Sequence, residues 1–318
     1  MRTIVCSDFH LNIKNRLDDF TISMTQVSSY AIKHKVDTVI FLGDAFHKRR
    51  PHPIEMRRFE WWVKSIIDAN IELIMVLGNH DMTTDTNTIQ YFDILETKNV
   101  KVVKPPLIHK GIYYDHILLK ESKMGALGYQ KRIDSKSYKD LIKQYPKVKA
   151  FILGHIHKPQ VINKKPLVMH VGSIDRVDFG ERDEDKYFLD INNGKLKLIK
   201  LNIRPMIQIE VNLFDDIDRN TFYNVFKKYD IKPIIKIVLK GTKEQVEKCF
   251  RNLDVWNNYR KETYNLKVKV DLIRKKHQSK TTISEDKSVE DNFIEYAKIN
   301  KLDKSSIELG KRIIQKLK

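Results

Sequence analysis

The chain has 318 residues, 41% hydrophobic and 31% charged, with 59 Lys plus Arg against 41 Asp plus Glu for a formal charge of +18. No stretch approaches the ~20 apolar residues of a membrane span, and the two cysteines, Cys6 and Cys249, exclude a disulfide framework and suit reduced thiols in a cytoplasmic protein. The excess charge is +10 over residues 1–204, +6 over 205–276 and +2 over 277–318, a field that attracts polyanions such as nucleic acid.

The chain opens on a strand at residues 1–6, leaving no room for a signal peptide, and Asp8-Phe9-His10 follows it. Residues 18–34 read as an amphipathic helix, and a second apolar run ends at Gly43-Asp44. Met56, Phe59, Trp62, Val63, Ile66 and Ile67 recur with helical spacing and give one apolar face; the Trp61-Trp62 pair on it is read as packing. Strands are predicted at 72–77, just before Gly78-Asn79-His80-Asp81, then at 100–103, 116–119, 149–153 and 168–171. The block Gly154-His155-Ile156-His157 directly follows the fourth of these. Residues 186–191 and 195–201, joined through Asn193-Gly194, read as a hairpin. The alternation predicts an α/β fold over 1–204, with two β-sheets flanked by helices. Beyond Pro205 a second rhythm begins: strands at 207–213, 234–239 and 266–273 with helices at 216–229 and 243–253. This predicts a small α/β domain over 205–276. A polar linker then leads to two short helices at 289–299 and 305–317, so that 277–318 forms a third segment.

Four blocks carrying Asp, Asn and His, each just past a strand, describe one site, because loops at the carboxyl ends of parallel strands converge on one crevice. Mixed carboxylate, amide and imidazole donors suit Mn²⁺, Fe²⁺ or Zn²⁺, with Mg²⁺ a further candidate. Two such ions, bridged by a carboxylate, activate water and neutralise the leaving oxygen of a phosphate ester. Asp44 is the candidate bridge. Asp8, His10 and His157 complete one metal position; Asn79 and His155 serve the other. His80 sits beside the metals as the candidate general acid, since imidazole exchanges its proton near neutral pH, and Asp81 is placed to orient its ring.

These blocks resemble the calcineurin-type metallophosphoesterases, and more narrowly the SbcD-type nuclease subunits of recombination and double-strand-break repair. The stretch from Gly43-Asp44-Ala45-Phe46-His47 through Arg50-Pro51-His52-Pro53 carries the narrower likeness, with Gly154-His155-Ile156-His157 and the run from Gly172-Ser173 through Arg176, Phe179 and Glu181. The likeness covers about residues 1–200; the C-terminal third matches in organisation alone. It implies a calcineurin-like sandwich with a capping domain over 205–276. The implied activity is a Mn²⁺-dependent DNA exo- or endonuclease, working with an SbcC-like coiled-coil ATPase and able to form a homodimer. It makes His47 a substrate-positioning residue and Arg50 and Arg176 substrate contacts. The family also has a metal-binding His between the third and fourth blocks. Here Glu121 occupies its place, or His116 or His109 supplies the imidazole from a shifted register. The terminal helices either dock on the ATPase or fold back. A weakly active DNA-binding scaffold and a small-molecule phosphodiesterase or phosphatase are the rival readings.

Overall fold

The apolar residues of each central strand alternate between two faces, and a strand with two apolar faces must be covered on both. The computed structural model describes residues 1–12, 16–81, 91–116, 135–213, 228–251, 253–272 and 287–316. In it β1 (Arg2–Cys6), β2 (Thr38–Phe41), β3 (Glu72–Val76) and β4 (Val100–Val103) run parallel. A second group comprises β5 (Leu107–His109), β6 (Ile112–Asp115), β7 (Ala150–Leu153), β8 (Gln160–Lys164) and β9 (Leu167–His170). The expected hairpin is β10 (Tyr187–Asn192) with β11 (Lys195–Lys200), turning through Asn193-Gly194. The first sheet has the order β11-β10-β1-β2-β3-β4 and the second β5-β6-β7-β9-β8.

Side-chain alternation sorts these strands into layers. Val5, Ile40, Leu42, Ile74 and Val76 face Tyr114, Ala150, Ile152 and Met169, so the two sheets bury one core between them. The intervening residues Ile4, Cys6, Val39, Phe41, Leu73 and Met75 point to the other face, against α1 (Leu17–Lys33) and α2 (Pro53–Asp68). Tyr113, Phe151 and Leu153 do the same on the outer face of the second sheet, against Tyr138 and Leu141 of α3 (Ser135–Gln144). The start of α2 is set locally: Pro53 stands at the first helical position, and the Glu55 carboxylate accepts from the His52 amide at 2.7 Å, satisfying a donor the helix cannot. Of the tryptophan pair, Trp62 is fully buried and Trp61 is 52% exposed. Only the former joins the core.

Three further strands, β12 (Met206–Asn212), β13 (Ile234–Gly241) and β14 (Asn265–Leu272), form a separate sheet in the order β12-β13-β14. The helix expected at 243–253 is divided into α4 (Lys243–Phe250), with a Thr242–Gln245 capping box, and α5 (Leu253–Glu262). The helix expected at 216–229 lies almost wholly outside the described residues. The terminal helices are α6 (Val289–Ile299) and α7 (Lys304–Lys316). The Phe293 ring lies on Gly310, where a Cβ would meet it at 2.1 Å, so glycine permits that close approach. Val289, Leu309 and Ile313 remain exposed. The chain divides into two compact units. One is Met1–Ile209 with Arg219–Lys236 and Asn258–Lys267; the other is Glu210–Asp218, Ile237–Asn257 and Val268–Lys318. Among the described residues no helix is long and apolar enough to cross a membrane.

Candidate metal centre

Every loop that carries a ligand-type side chain leaves the carboxyl end of a parallel strand. Asp8 and His10 follow β1, Asp44 follows β2, Asn79 and His80 follow β3, His116 follows β6, and His155 and His157 follow β7. Phe9 locks the first loop in place, with its ring 4.6 Å from Phe41 and 4.9 Å from Trp62, while its neighbours Asp8 and His10 face the crevice. Asp8, His10, Asp44 and His155 all have positive φ, between 46° and 68°. Non-glycine residues hold that backbone at a cost of order 1–3 kcal/mol each, and such residues concentrate at functional sites. Gly43 and Gly78 let the β2 and β3 loops touch: a Cβ on Gly43 would come within 2.3 Å of the Gly78 nitrogen.

One group of donors comprises Asp8, His10 and His157, whose ligand atoms lie within 4.8 Å of one another. The two Nε2 atoms of His10 and His157 face each other at 3.0 Å, and His10 Nε2 is 3.7 Å from both Asp8 Oδ1 and Asp44 Oδ2. His157 Nδ1 bonds Glu181 Oε1 at 2.7 Å. The carboxylate thus keeps the proton on Nδ1 and leaves Nε2 as the free donor. Burial works against a charged Glu181, yet His157 and the wholly buried Lys186, 2.7 Å away, hold its carboxyl down at about 2.

The other group comprises Asp44, His116 and His155. His116 is fully buried. Its Nδ1 lies 2.5 Å from the Leu42 carbonyl, while Nε2 lies 2.9 Å from Asn79 Oδ1 and 3.3 Å from Asp44 Oδ2. His155 Nδ1 approaches the same Asn79 oxygen at 3.0 Å. Burial disfavours a charged His116, but Asp44 prevails and raises it to about 10; burial and the neighbouring His116 charge together push His155 down to about 4. Asp44 belongs to this group and also to one with His10 and His80. Its central place follows from the position of β2 between β1 and β3.

The remaining expected residues are placed as follows. His80 Nδ1 lies 2.7 Å from the His47 carbonyl and Nε2 lies 4.0 Å from Asp44 Oδ2. Asp81 was expected to orient that ring. Its carboxylate instead accepts the backbone amides of Asp44, Ala45 and Gly78 at 2.7, 3.1 and 2.9 Å, stapling the β2 and β3 loops; the ring takes its direction from the His47 carbonyl. Burial, reinforced by Asp44, raises the Asp81 carboxyl to about 6. The His47 ring is 5.9 Å from that of His10. Arg50 stands in the exposed turn before α2. Arg176, expected to contact substrate, is buried with its guanidinium donating to the Glu184 and Arg204 carbonyls at 2.9 and 3.1 Å, so it acts as a strut. Glu121 lies outside the described residues, and His109 belongs to β5.

Sequence reasoning gave no role to Glu181, Lys186 or His170. His170 ends β9 and bridges the Gly154 carbonyl at 2.6 Å and Tyr138 Oη at 3.0 Å, fixing the backbone just before His155. Its position at a strand's carboxyl end was the available signal.

The residues present fit divalent metal ions. Asp8 and Asp44 are both buried, and burial alone would raise them; facing histidines nonetheless hold both carboxyls well below the usual range. Asp8 Oδ1 is buried with no hydrogen-bond partner among the described residues. Buried carboxylates and converging imidazole nitrogens are the donor set of such a site.

The family model of the calcineurin-like phosphoesterases matches residues 1–159, half of the chain. The DNA double-strand break repair protein Mre11 of Haloferax volcanii is 24% identical over 278 residues, covering 77% of this chain and 62% of that protein, less than two thirds of its length. The protein of the same name from Methanocaldococcus jannaschii is 24% identical over 280 residues, covering 74% and 75%. A metallophosphoesterase of known structure from Sphaerobacter thermophilus superposes with a TM-score of 0.40 at 17% identity over 64% of this chain and 89% of that one, a likeness too slight to add to the family match.

Proposed function

We propose, from the premise that the chain belongs to the calcineurin-like phosphoesterase family, that it hydrolyses phosphodiester bonds of DNA at a two-metal centre. The supporting observation is the convergence of two donor groups on one buried carboxylate, Asp44. Asp8, His10 and His157 would hold one divalent ion, and Asn79, His116 and His155 the other, with Asp44 shared; Mn²⁺ is the favoured metal. His116 takes the seventh position in this reading because its Nε2 already faces Asn79 and Asp44. When bound, the ions supply Lewis-acid stabilisation of the reacting phosphate and a nucleophile at neutral pH.

The chain's own residues do the rest. His80 keeps a proton on Nδ1 against the His47 carbonyl, so that Nε2 is the atom that delivers a proton to the leaving oxygen. Asp81 holds the two loops that carry Asp44 and His80. The DNA substrate rests on the Mre11 relatives and the +18 charge. Partnership with an SbcC-like ATPase through α6 and α7 rests on their exposed apolar side chains, which a helix pair of this size leaves without a core.

The test is hydrolysis of linear and circular, single- and double-stranded DNA by the purified chain with Mn²⁺, Mg²⁺ or EDTA. Mn²⁺-dependent cleavage is expected, and His80→Ala should lower turnover by about 10²–10⁴-fold with metal content unchanged. DNA binding without cleavage would favour a scaffold. Cleavage confined to small phosphate esters would favour the small-molecule reading.

A further inference from the structure

Phe179 opens a short 3-10 turn, Phe179–Glu181, capped by Asp178, which accepts the Gly180 amide at 2.6 Å. The turn ends in Glu181, which holds His157. Phe179 is only half-buried, and the apolar clusters built from described residues do not include it, so packing among those residues does not explain an aromatic residue there. Lys236 on β13 and Lys267 on β14 bring their ammonium groups to 5.5 and 5.6 Å from its ring centre. All three residues belong to the same compact unit. Neither ammonium has a carboxylate partner among the described residues, whereas Lys240, four residues along β13 from Lys236, pairs with Glu210 at 2.7 Å. Both ammonium groups lie over one ring, and an anion beside them would neutralise charge that no described carboxylate balances. A half-exposed ring beside unpaired cations is the combination that takes single-stranded nucleic acid: any unstacked base offers a π-face, and the cations take its phosphate.

We propose that Phe179, Lys236 and Lys267 form a subsite for one unpaired nucleotide of the DNA strand, the ring taking its base and the ammonium groups its phosphate. The inference rests on the DNA-hydrolase reading. A base inside a duplex keeps both faces in the stack, so the subsite selects single-stranded or frayed ends.

Binding of a fluorescent oligothymidylate and of a blunt duplex to the full chain, followed by anisotropy in EDTA across a salt series, tests this apart from cleavage. Phe179→Ala should weaken single-strand binding about tenfold with an unchanged salt slope, and should leave duplex binding within about twofold. Lys236→Gln with Lys267→Gln should make the single-strand slope shallower by about 0.7, the contribution of the one phosphate left without its cations. Lys195→Gln with Lys197→Gln, on exposed β11, removes the same charge and should leave the slope unchanged. Single-strand binding unaltered beyond this control would overturn the proposal, as would equal Phe179→Ala losses on both DNA forms or a wild-type chain that binds no single strand. A chain that binds as expected but cleaves nothing with Mn²⁺ would sink the hydrolase reading and leave the subsite standing.

Discussion

The two halves of the candidate metal centre are held by different means. His157 stands on charged side chains, Glu181 and behind it the buried Lys186. His116 stands on a backbone carbonyl, that of Leu42, inside a fully buried pocket. The first support can be removed by one substitution; the second cannot, because every residue at position 42 would bring a carbonyl. The same difference governs what can be read beforehand. A carboxylate partner leaves a residue in the sequence, while a carbonyl partner leaves no trace.

Substitution of the shared residue should erase the distinction. Asp44→Asn is expected to lower turnover by on the order of 10³-fold and to reduce metal content from two ions, measured by equilibrium dialysis; two tightly held ions with normal turnover would remove Asp44 as the bridge. The next effect separates the halves. His116→Gln should weaken one ion by more than about 100-fold and spare the other, while Glu121→Gln leaves both in place; the reverse result would return the seventh position to Glu121. Glu181→Gln should cost about 10–100-fold in affinity at the His157 half alone, and equal weakening of both ions would show that the halves share their support. The smallest expected change in hydrolysis comes from deleting residues 283–318, which should leave cleavage intact and abolish association with the ATPase, assayed by co-purification. Loss of cleavage would instead mean that α6 and α7 fold back on the rest.

Much of this was legible in advance. The alternation of Ile4, Val5 and Cys6, or of Val39, Ile40 and Phe41, already says that these strands are covered on both faces, and the structure places their side chains in the two cores that follow. The blocks Asp8-Phe9-His10 and Gly154-His155-Ile156-His157 announce themselves because their donors are neighbours in the chain. Three features were not fully legible. His116 was read as the start of a strand and offered beside Glu121 and His109 as a donor from a shifted register; β6 ends one residue earlier, at Asp115, and puts the imidazole in the crevice. Asp81 follows His80 directly, yet its carboxylate turns to three amides. Arg176 lies in a motif-like run, yet its guanidinium turns to carbonyls of the chain.

The sequence by itself determined the layered α/β architecture, the strand ends that meet at one crevice and most of the donors there, because side-chain period and block composition are local properties. The tertiary structure alone brought the His116 imidazole beside Asn79 and Asp44 and turned the Asp81 and Arg176 side chains to backbone partners. Those outcomes depend on which amide or carbonyl from a distant segment lies within about 3 Å. That proximity is created only when the strands have taken their places beside one another.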